Sequence, residues 1–303
     1  MDKTKIATRY ILVGAAVFLL SSFHSVSAQV TYSRQDSVTI SRLLQRADRQ
    51  TTTLWLARYF LDVPYVPFTL EVNDEEQLVV NTRQLDCTTL VETVVALKLC
   101  IQQGKRGWGD YLHALRSLRY RGGKLEGYPS RLHYFSDWIR DKQQMGLVDD
   151  IQGPNPPFTA VQKLSVNWMS THAQSYKALK AHPELMAQIR QTEQALTGLT
   201  ARYIPKRLLS NSTLLRQCVR DGDVIVILTS KRGLDTSHLG FASWHKNGLH
   251  LLNASQLRGR VVDEPMTLYQ YMQKHPTFIG IRVVRLRDEN KELFSIGAYK
   301  QCK

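Results

Sequence analysis

Hydrophobic positions recur along the chain with two different periods, and the change from one to the other divides it. From Asp36 to Phe60 the apolar residues Val38, Ile40, Leu43 and Leu44, then Leu54, Leu56 and Phe60, fall at helical spacing, with Ser41 and Thr51 as caps. Pro64 and Pro67 force extended chain through Pro64-Tyr65-Val66-Pro67, and Leu78-Val79-Val80 predicts a short strand. A buried helix then starts with Asp86 as N-cap, Cys87 in the first helical position and Leu90, Val91, Val94, Val95 and Leu97 as its apolar body. Between residues 102 and 209 the pattern is mostly helical and polar, broken by Arg121-Gly122-Gly123 and Gly153-Pro154-Asn155-Pro156-Pro157. From Asp221 onward it becomes strand-like: Val224 to Leu228, His238 to Trp244, Leu249 to Ala254 and Phe278 to Leu286, with Asn247-Gly248 as a hairpin signal. Helices first and an antiparallel sheet afterwards predict an α+β fold.

Composition narrows the class. At 303 residues the chain allows one large domain or two ordinary ones, and 43% hydrophobic with 22% charged residues excludes a disordered or fibrous protein. The one continuous apolar run, Ile11 to Leu20, is short of the roughly 20 residues that span a bilayer, so no integral membrane protein is expected. That run follows Lys3, Lys5 and Arg9 and precedes Val26-Ser27-Ala28, the pattern of a secretory signal peptide cleaved before Gln29. The expectation is therefore a signal peptide over 1–28, a single domain over 29–303 with an insertion at about 102–209, and export, with the periplasm as the destination.

Charge and cysteines add to this. Lys and Arg number 40 against 26 Asp and Glu, a net charge of +14, of which a signal peptide would remove +2. An exported basic protein meets anionic wall polymers or lipid head groups, and no basic stripe with interleaved aromatics points to nucleic acid. Cys87 and Cys100, on one helix about 20 Å apart, are too distant for a disulfide, which leaves Cys218 with Cys302 as the one pair to consider.

A thiol at a helix start is where ionisation is easiest, because unpaired N–H groups and the helix dipole stabilise the thiolate. Cys87 is thus a candidate nucleophile, although a buried structural thiol fits the same spacing. His238, opening a strand in Asp235-Thr236-Ser237-His238-Leu239-Gly240-Phe241, is the matching candidate for proton transfer. A zinc site built on His238, His245 and His250 with Asp235 and Glu264 matches no ligand spacing.

Taken together and in order, Pro64-Tyr65, Leu85-Asp86-Cys87-Thr88-Thr89-Leu90-Val91-Glu92, Leu234-Asp235-Thr236-Ser237-His238-Leu239-Gly240-Phe241 and Leu252-Asn253-Ala254-Ser255 resemble the NlpC/P60-like, papain-fold cysteine hydrolases. Within these the chain is similar to the DUF1460, N-acetylmuramoyl-L-alanine amidase-like branch, with further echoes in Tyr120-Arg121-Gly122-Gly123, Ser130-Arg131-Leu132-His133-Tyr134, Val166-Asn167-Trp168-Met169-Ser170 and Gly280-Ile281-Arg282-Val283-Val284-Arg285. The resemblance implies a papain-like core, the Cys helix packed on an antiparallel sheet. It implies Cys87 as nucleophile, His238 as acid/base, Asn253 as the group orienting the imidazole, and the Tyr65 hydroxyl with the Cys87 N–H as oxyanion donors.

Asp86, Arg131, Asp235 and Ser237 are the candidates for substrate binding. Asp86 also serves as a cap, and an ion pair fits Arg131 equally well. No metal or organic cofactor is required. The implied reaction is hydrolysis of the amide between N-acetylmuramic acid, or its 1,6-anhydro form, and L-alanine in peptidoglycan or muropeptides. A γ-D-glutamyl stem-peptide endopeptidase and a non-catalytic wall-binding protein are the alternatives.

Hairpin register tests the third residue. If Asn247-Gly248 forms a strict two-residue turn, Asn253 lies on the same face as His238 but four residues out of register, roughly 13 Å away, and Ser255 is nearer. A bulge or a longer turn is needed to favour Asn253.

Overall fold

The structure, a computed structural model, describes residues 30–287; the expected signal peptide and Cys302, the partner considered for Cys218, fall outside that range. The N-terminal helical segment is two helices, α1 (Arg34–Arg46), preceded by a two-residue strand β1 (Val30–Thr31), and α2 (Thr53–Arg58). Their caps are Ser33 and Thr52, not Ser41 and Thr51. Each hydroxyl accepts an N–H of the first turn, from Asp36 at 3.3 Å and from Trp55 at 3.1 Å. Apolar periodicity marks a helix body, whereas the cap is set by hydrogen bonds one turn earlier.

β2 (Leu78–Val79) pairs in parallel with β1. The helix α3 (Cys87–Gln102) begins where the residues predict, with Cys87 first and Asp86 as N-cap. Asp86 Oδ1 accepts the Thr89 N–H at 2.8 Å, and Thr89 Oγ1 accepts the Asp86 N–H at 2.9 Å, a reciprocal cap that pins the first turn. Every residue from Thr89 to Leu97 is buried, as expected for a helix that is apolar on all sides.

The segment 102–209 is less purely helical than its pattern suggests. It holds α4 (Trp108–Arg119), α5 (Phe135–Gln144), α6 (Trp168–Thr171), α7 (Lys177–Ala181) and α8 (Met186–Leu196), together with three strands: β3 (Val148–Ile151), β4 (Ala160–Lys163) and β5 (Thr200–Pro205). Four-residue strands such as Val148-Asp149-Asp150-Ile151 carry too little alternation to be seen in sequence. After them come α9 (Thr213–Cys218), β6 (Val224–Thr229), β7 (Thr236–His245), β8 (Gly248–Ser255), β9 (Arg260–Asp263), α10 (Leu268–Gln273) and β10 (Phe278–Leu286).

Eight strands form one antiparallel sheet in the order β4-β5-β10-β6-β7-β8-β9, with β3 pairing beside β10. Apolar residues cover both faces. Val224, Val226, Leu239, Phe241, Leu252 and Ala254 pack with α3 on one side, while Ile225, Ile227, Ala242, Leu251 and Val283 meet α9 and α10 on the other. This two-sided burial explains why β6 reads as an unbroken apolar run rather than an alternating one.

A buried ion pair joins the 102–209 segment to the Cys-bearing helix. Arg119 Nε donates to Glu92 Oε2 at 2.7 Å, both side chains 3% exposed. Removing one partner of such a pair strands a charge in the core. Arg119→Met is therefore expected to destabilise the protein by about 3–5 kcal/mol in urea denaturation, and Glu92→Leu/Arg119→Met by much less than the sum of its single changes.

Candidate active site

Two features meet near the start of β7: the capped first turn of α3, and a bulge that aims His238. β7 pairs with β6 as Ile227↔His238 and then Leu228↔Thr236, so Ser237 is an extra residue. The imidazole Nε2 lies 2.8 Å from Asn253 Oδ1 on β8. Asn253 is itself fully buried, and its Nδ2 donates to the Leu251 carbonyl at 3.3 Å, which leaves the oxygen facing the ring.

The hairpin register accounts for this contact. His245 pairs with Gly248, so the turn residues are Lys246 and Asn247, one position earlier than the Asn-Gly signal suggests. Lys246 and Asn247 both keep negative φ, and Gly248 supplies the positive one, +146°. Continued along β7, this register sets His238 opposite Ser255 and Gly240 opposite Asn253, so His238 and Asn253 are diagonal neighbours. Diagonal pairs stand about 7–8 Å apart, within reach of long side chains. Gly240 makes the reach possible: a Cβ there would lie 2.7 Å from the Leu252 oxygen and 3.0 Å from Asn253 Cβ. Ser255, the expected reserve, instead accepts the Arg258 N–H at 3.3 Å in the following turn.

Cys87 is half-buried, with its sulfur against β7, where the Leu239 N–H donates to it. The thiol is not the readily ionised group that a helix start suggests. Burial pushes it up to about 12, the Asp86 carboxylate adds to the shift, and N–H and hydroxyl donors from Leu239 and Thr88 oppose it only in part. Burial also lowers His238 below its ordinary value, against the Asn253 hydrogen bond and the Glu264 charge. The resting pair is therefore a neutral thiol and a neutral imidazole. Tyr65 pairs with Leu85, one residue before the Asp86 cap, and burial with the nearby Cys87 and Asp86 pushes its phenol up to about 12. It stays protonated and remains a hydrogen-bond donor. Tyr271 on α10 is raised to about 12 by burial, Glu264 and Cys87, which places it among the site's neighbours. Tyr271 and Glu264 carry no sequence signal of this role, since only the tertiary fold brings them here, whereas Gly240, two residues after His238 on the same face, is a position where sequence predicts a close approach.

Two of the expected substrate contacts are already occupied. Arg131 is buried, paired with Glu71 and 3.7 Å from Glu76, with its guanidinium over the Tyr128 ring at 4.8 Å. Its charge is answered internally, which corrects its assignment to a substrate carboxylate. Asp235 is 2% exposed and accepts the Ser136 N–H at 2.7 Å and the Thr236 N–H at 2.8 Å, so its carboxylate is engaged in tying α5 to β7. Asp86 keeps its capping role at the rim of the site.

The five residues considered for zinc do not converge. His238 is held by Asn253, and Asp235 by Ser136. His245 and His250 stack at 4.0 Å, and with Asp263 they bring their donor atoms within 4.8 Å of one another. Those atoms carry hydrogen bonds to Ser243, Asn247 and the Glu264 carbonyl, and Arg58 lies 3.3 Å from Asp263.

The mixed helix and antiparallel-sheet fold is one that the comparisons recognise. Residues 55–281 match the AmiA-like, N-acetylmuramoyl-L-alanine amidase-like family, to which the chain belongs. Among solved structures, an N-acetylmuramoyl-L-alanine amidase from Bacteroides uniformis ATCC 8492 is 38% identical over 78% of this chain and 99% of its own, with a TM-score of 0.73. A Bacteroides fragilis protein described as a candidate xylanase is 43% identical over 77% of this chain and 99% of its own, with a TM-score of 0.72. A Legionella pneumophila DUF1460 protein, 23% identical over 83% of this chain and 94% of its own at a TM-score of 0.65, shares the fold. No curated protein matches the sequence.

The neutral resting pair is directly measurable. Alkylation of Cys87 by iodoacetamide is expected to be slow at pH 7 and to keep rising above pH 9, beyond the ~8.5 of a free thiol. By NMR titration His238 should protonate below its usual ~6.5, and Asn253→Ala should lower it further, because the lost hydrogen bond is one that raises it. A rise on Asn253→Ala contradicts the pairing.

Proposed function

We propose that this protein is an exported, periplasmic cysteine hydrolase of papain-like, NlpC/P60-type architecture that cuts the amide between N-acetylmuramic acid and L-alanine in peptidoglycan or in soluble muropeptides, including 1,6-anhydro forms. The observation that carries this reading is the Cys87 thiol on the first turn of α3, against the N–H of Leu239, the residue that follows His238, whose imidazole is held by Asn253. Family membership supports amide-bond hydrolysis of a peptidoglycan-type substrate. Among the described residues no helix is long and apolar enough to cross a membrane.

With Asn253 engaging Nε2, Nδ1 is the ring atom for proton exchange. It takes the thiol proton as sulfur bonds to the carbonyl carbon, so the charged pair forms only during attack. The carbonyl π electrons move to oxygen, and the Tyr65 hydroxyl and the Cys87 N–H donate to that oxyanion. As the tetrahedral adduct collapses the C–N bond breaks and His238 gives its proton to the leaving amine of L-alanine. Water deprotonated by His238 then attacks the thioester, and the Cys87 thiol is restored with release of the muramic acid carboxylate.

The site does not suit glycosidic cleavage, the chemistry in the description of the Bacteroides fragilis relative. That reaction ordinarily needs two carboxyl groups across the bond. Here Asp86 caps α3, and Glu264 lies 3.4 Å from Arg258.

Cys87→Ser is expected to lower kcat at least about 10³-fold with an unchanged unfolding transition, because a hydroxyl is far less nucleophilic than the thiol it replaces. Activity should survive EDTA and be lost on alkylation; the reverse result points to metal chemistry. Mass spectrometry of products from intact sacculi and from anhydro-muropeptides reads the scissile bond. Free L-alanine amine with an intact stem supports the amidase, cleavage after γ-D-glutamate an endopeptidase, and binding without products a wall-binding protein.

A further inference from the structure

The diagonal that joins His238 to Asn253 continues one strand further. Asn253 pairs with Val262 and Leu252 with Asp263, and the Glu264 N–H donates to the Leu251 carbonyl at 2.9 Å, so Glu264 lies opposite Leu251 just past the end of β9. Directly opposed residues share a face of the sheet, as do residues two apart on a strand. His238, Asn253 and Glu264 therefore stand on one face, each a diagonal step of about 7–8 Å from the next. Leu251 belongs to the same face, and it packs in one cluster with Tyr271 of α10.

Glu264 is 2% exposed. Its carboxylate meets Arg258, whose Nε and Nη2 both lie 3.4 Å from Oε2. Arg258 stands on the β8–β9 turn with its side chain 43% exposed. That turn is tied to the active site on both sides. The Arg258 N–H donates to Ser255 Oγ at 3.3 Å, opposite His238, and the carbonyl of the next residue, Gly259, accepts the Tyr65 N–H at 2.9 Å.

Three groups around the site register the Glu264 charge. His238 is lowered by burial, which the Asn253 hydrogen bond and then Glu264 oppose; His275, after α10, adds to the lowering, and Asp86, before α3, opposes it. Tyr271 is raised to about 12 by burial, Glu264 and Cys87, with Arg258 pulling the other way. Burial lowers His275, and Glu264 raises it. Charges this well buried are weakly screened, so a carboxylate two strands away acts on the imidazole without touching it.

We propose that Glu264 is a positioning residue that acts on the reaction through His238: Asn253 orients the imidazole, and Glu264 supplies the negative charge that stabilises the imidazolium. Where the third member of a hydrolase triad is a carboxylate, one group performs both tasks. Here a neutral amide holds the ring, and the charge comes from the next strand. The inference rests on the hydrolase reading above and deepens it. As the Cys87 proton passes to Nδ1 and the sulfur electron pair bonds to the carbonyl carbon, the ring becomes cationic, and at that moment the Glu264 charge counts. Arg258 offsets part of it, so a half-exposed arginine sets how strongly the buried carboxylate is felt.

The test titrates His238 by NMR in the full-length parent, Glu264→Gln and Arg258→Gln, and measures kcat/KM against pH on an N-acetylmuramoyl tripeptide. Glu264→Gln keeps the shape and removes the charge, and the His238 midpoint is expected to fall by about half a pH unit or more. The acid limb of kcat/KM should move to lower pH with it, while the plateau drops about tenfold. Arg258→Gln removes the offsetting charge and should raise the midpoint. A merely structural role for the pair gives no such opposition of sign. An unchanged midpoint in Glu264→Gln, or shifts of one sign in both variants, overturns the proposal. Should Glu264→Gln fail to fold, a midpoint that does not rise in Arg258→Gln overturns it. Because the titration needs no turnover, opposite shifts in a protein that cleaves no muropeptide defeat the hydrolase reading alone.

Discussion

The His238–Asn253 contact at the candidate active site depends on a single missing side chain. His238 and Asn253 are diagonal across the β7–β8 pair, and the residue between them on the direct cross-strand line is Gly240. Any Cβ there would press on the Leu252 carbonyl and on Asn253 itself, so the hydrogen bond that orients the imidazole exists because the strand is bare at that point. The bulge at Ser237 and the turn at Lys246 and Asn247 set which residues become diagonal. One residue of slip in either would turn His238 or Asn253 to the other face of the sheet.

Given that register, the remaining construction is a matter of holding a helix end against a strand. The reciprocal Asp86–Thr89 cap fixes the first turn of α3, and the apolar body of the helix packs on Leu239, Phe241 and Leu252. The buried Glu92–Arg119 pair joins the same helix to the following segment, so the thiol, the sheet and the outer helices are mechanically continuous. Burial that secures this packing also raises the thiol and lowers the imidazole. Both groups thereby rest neutral, and the Tyr65 phenol near Cys87 and Asp86 is kept protonated by the same burial.

What could be read without coordinates was local or carried by order. The cap at Asp86, the helix behind Cys87 and the strands at β6, β7, β8 and β10 follow from periodicity and from residues within a few positions of one another, and the ordered motifs pointed to the family. What failed locally failed for local reasons: Ser33 and Thr52 lie outside the apolar periods they cap, and β3 and β4 are too short to alternate.

Residue type and neighbour spacing determined that Cys87 opens a helix and His238 lies near the start of a strand. They did not determine ionisation, because a pKa depends on desolvation and on charges from distant segments, and these reversed the expectation for the thiol. Nor did they determine which polar residues are free. Arg131 and Asp235 look available in sequence, but the fold surrounds the first with Glu71 and Glu76 and the second with Ser136 and Thr236, while Gln162, unremarkable in sequence, is left with a buried oxygen unpaired. Only tertiary structure pairs or orphans a side chain, because hydrogen-bond partners tens of residues apart meet through packing and not through spacing.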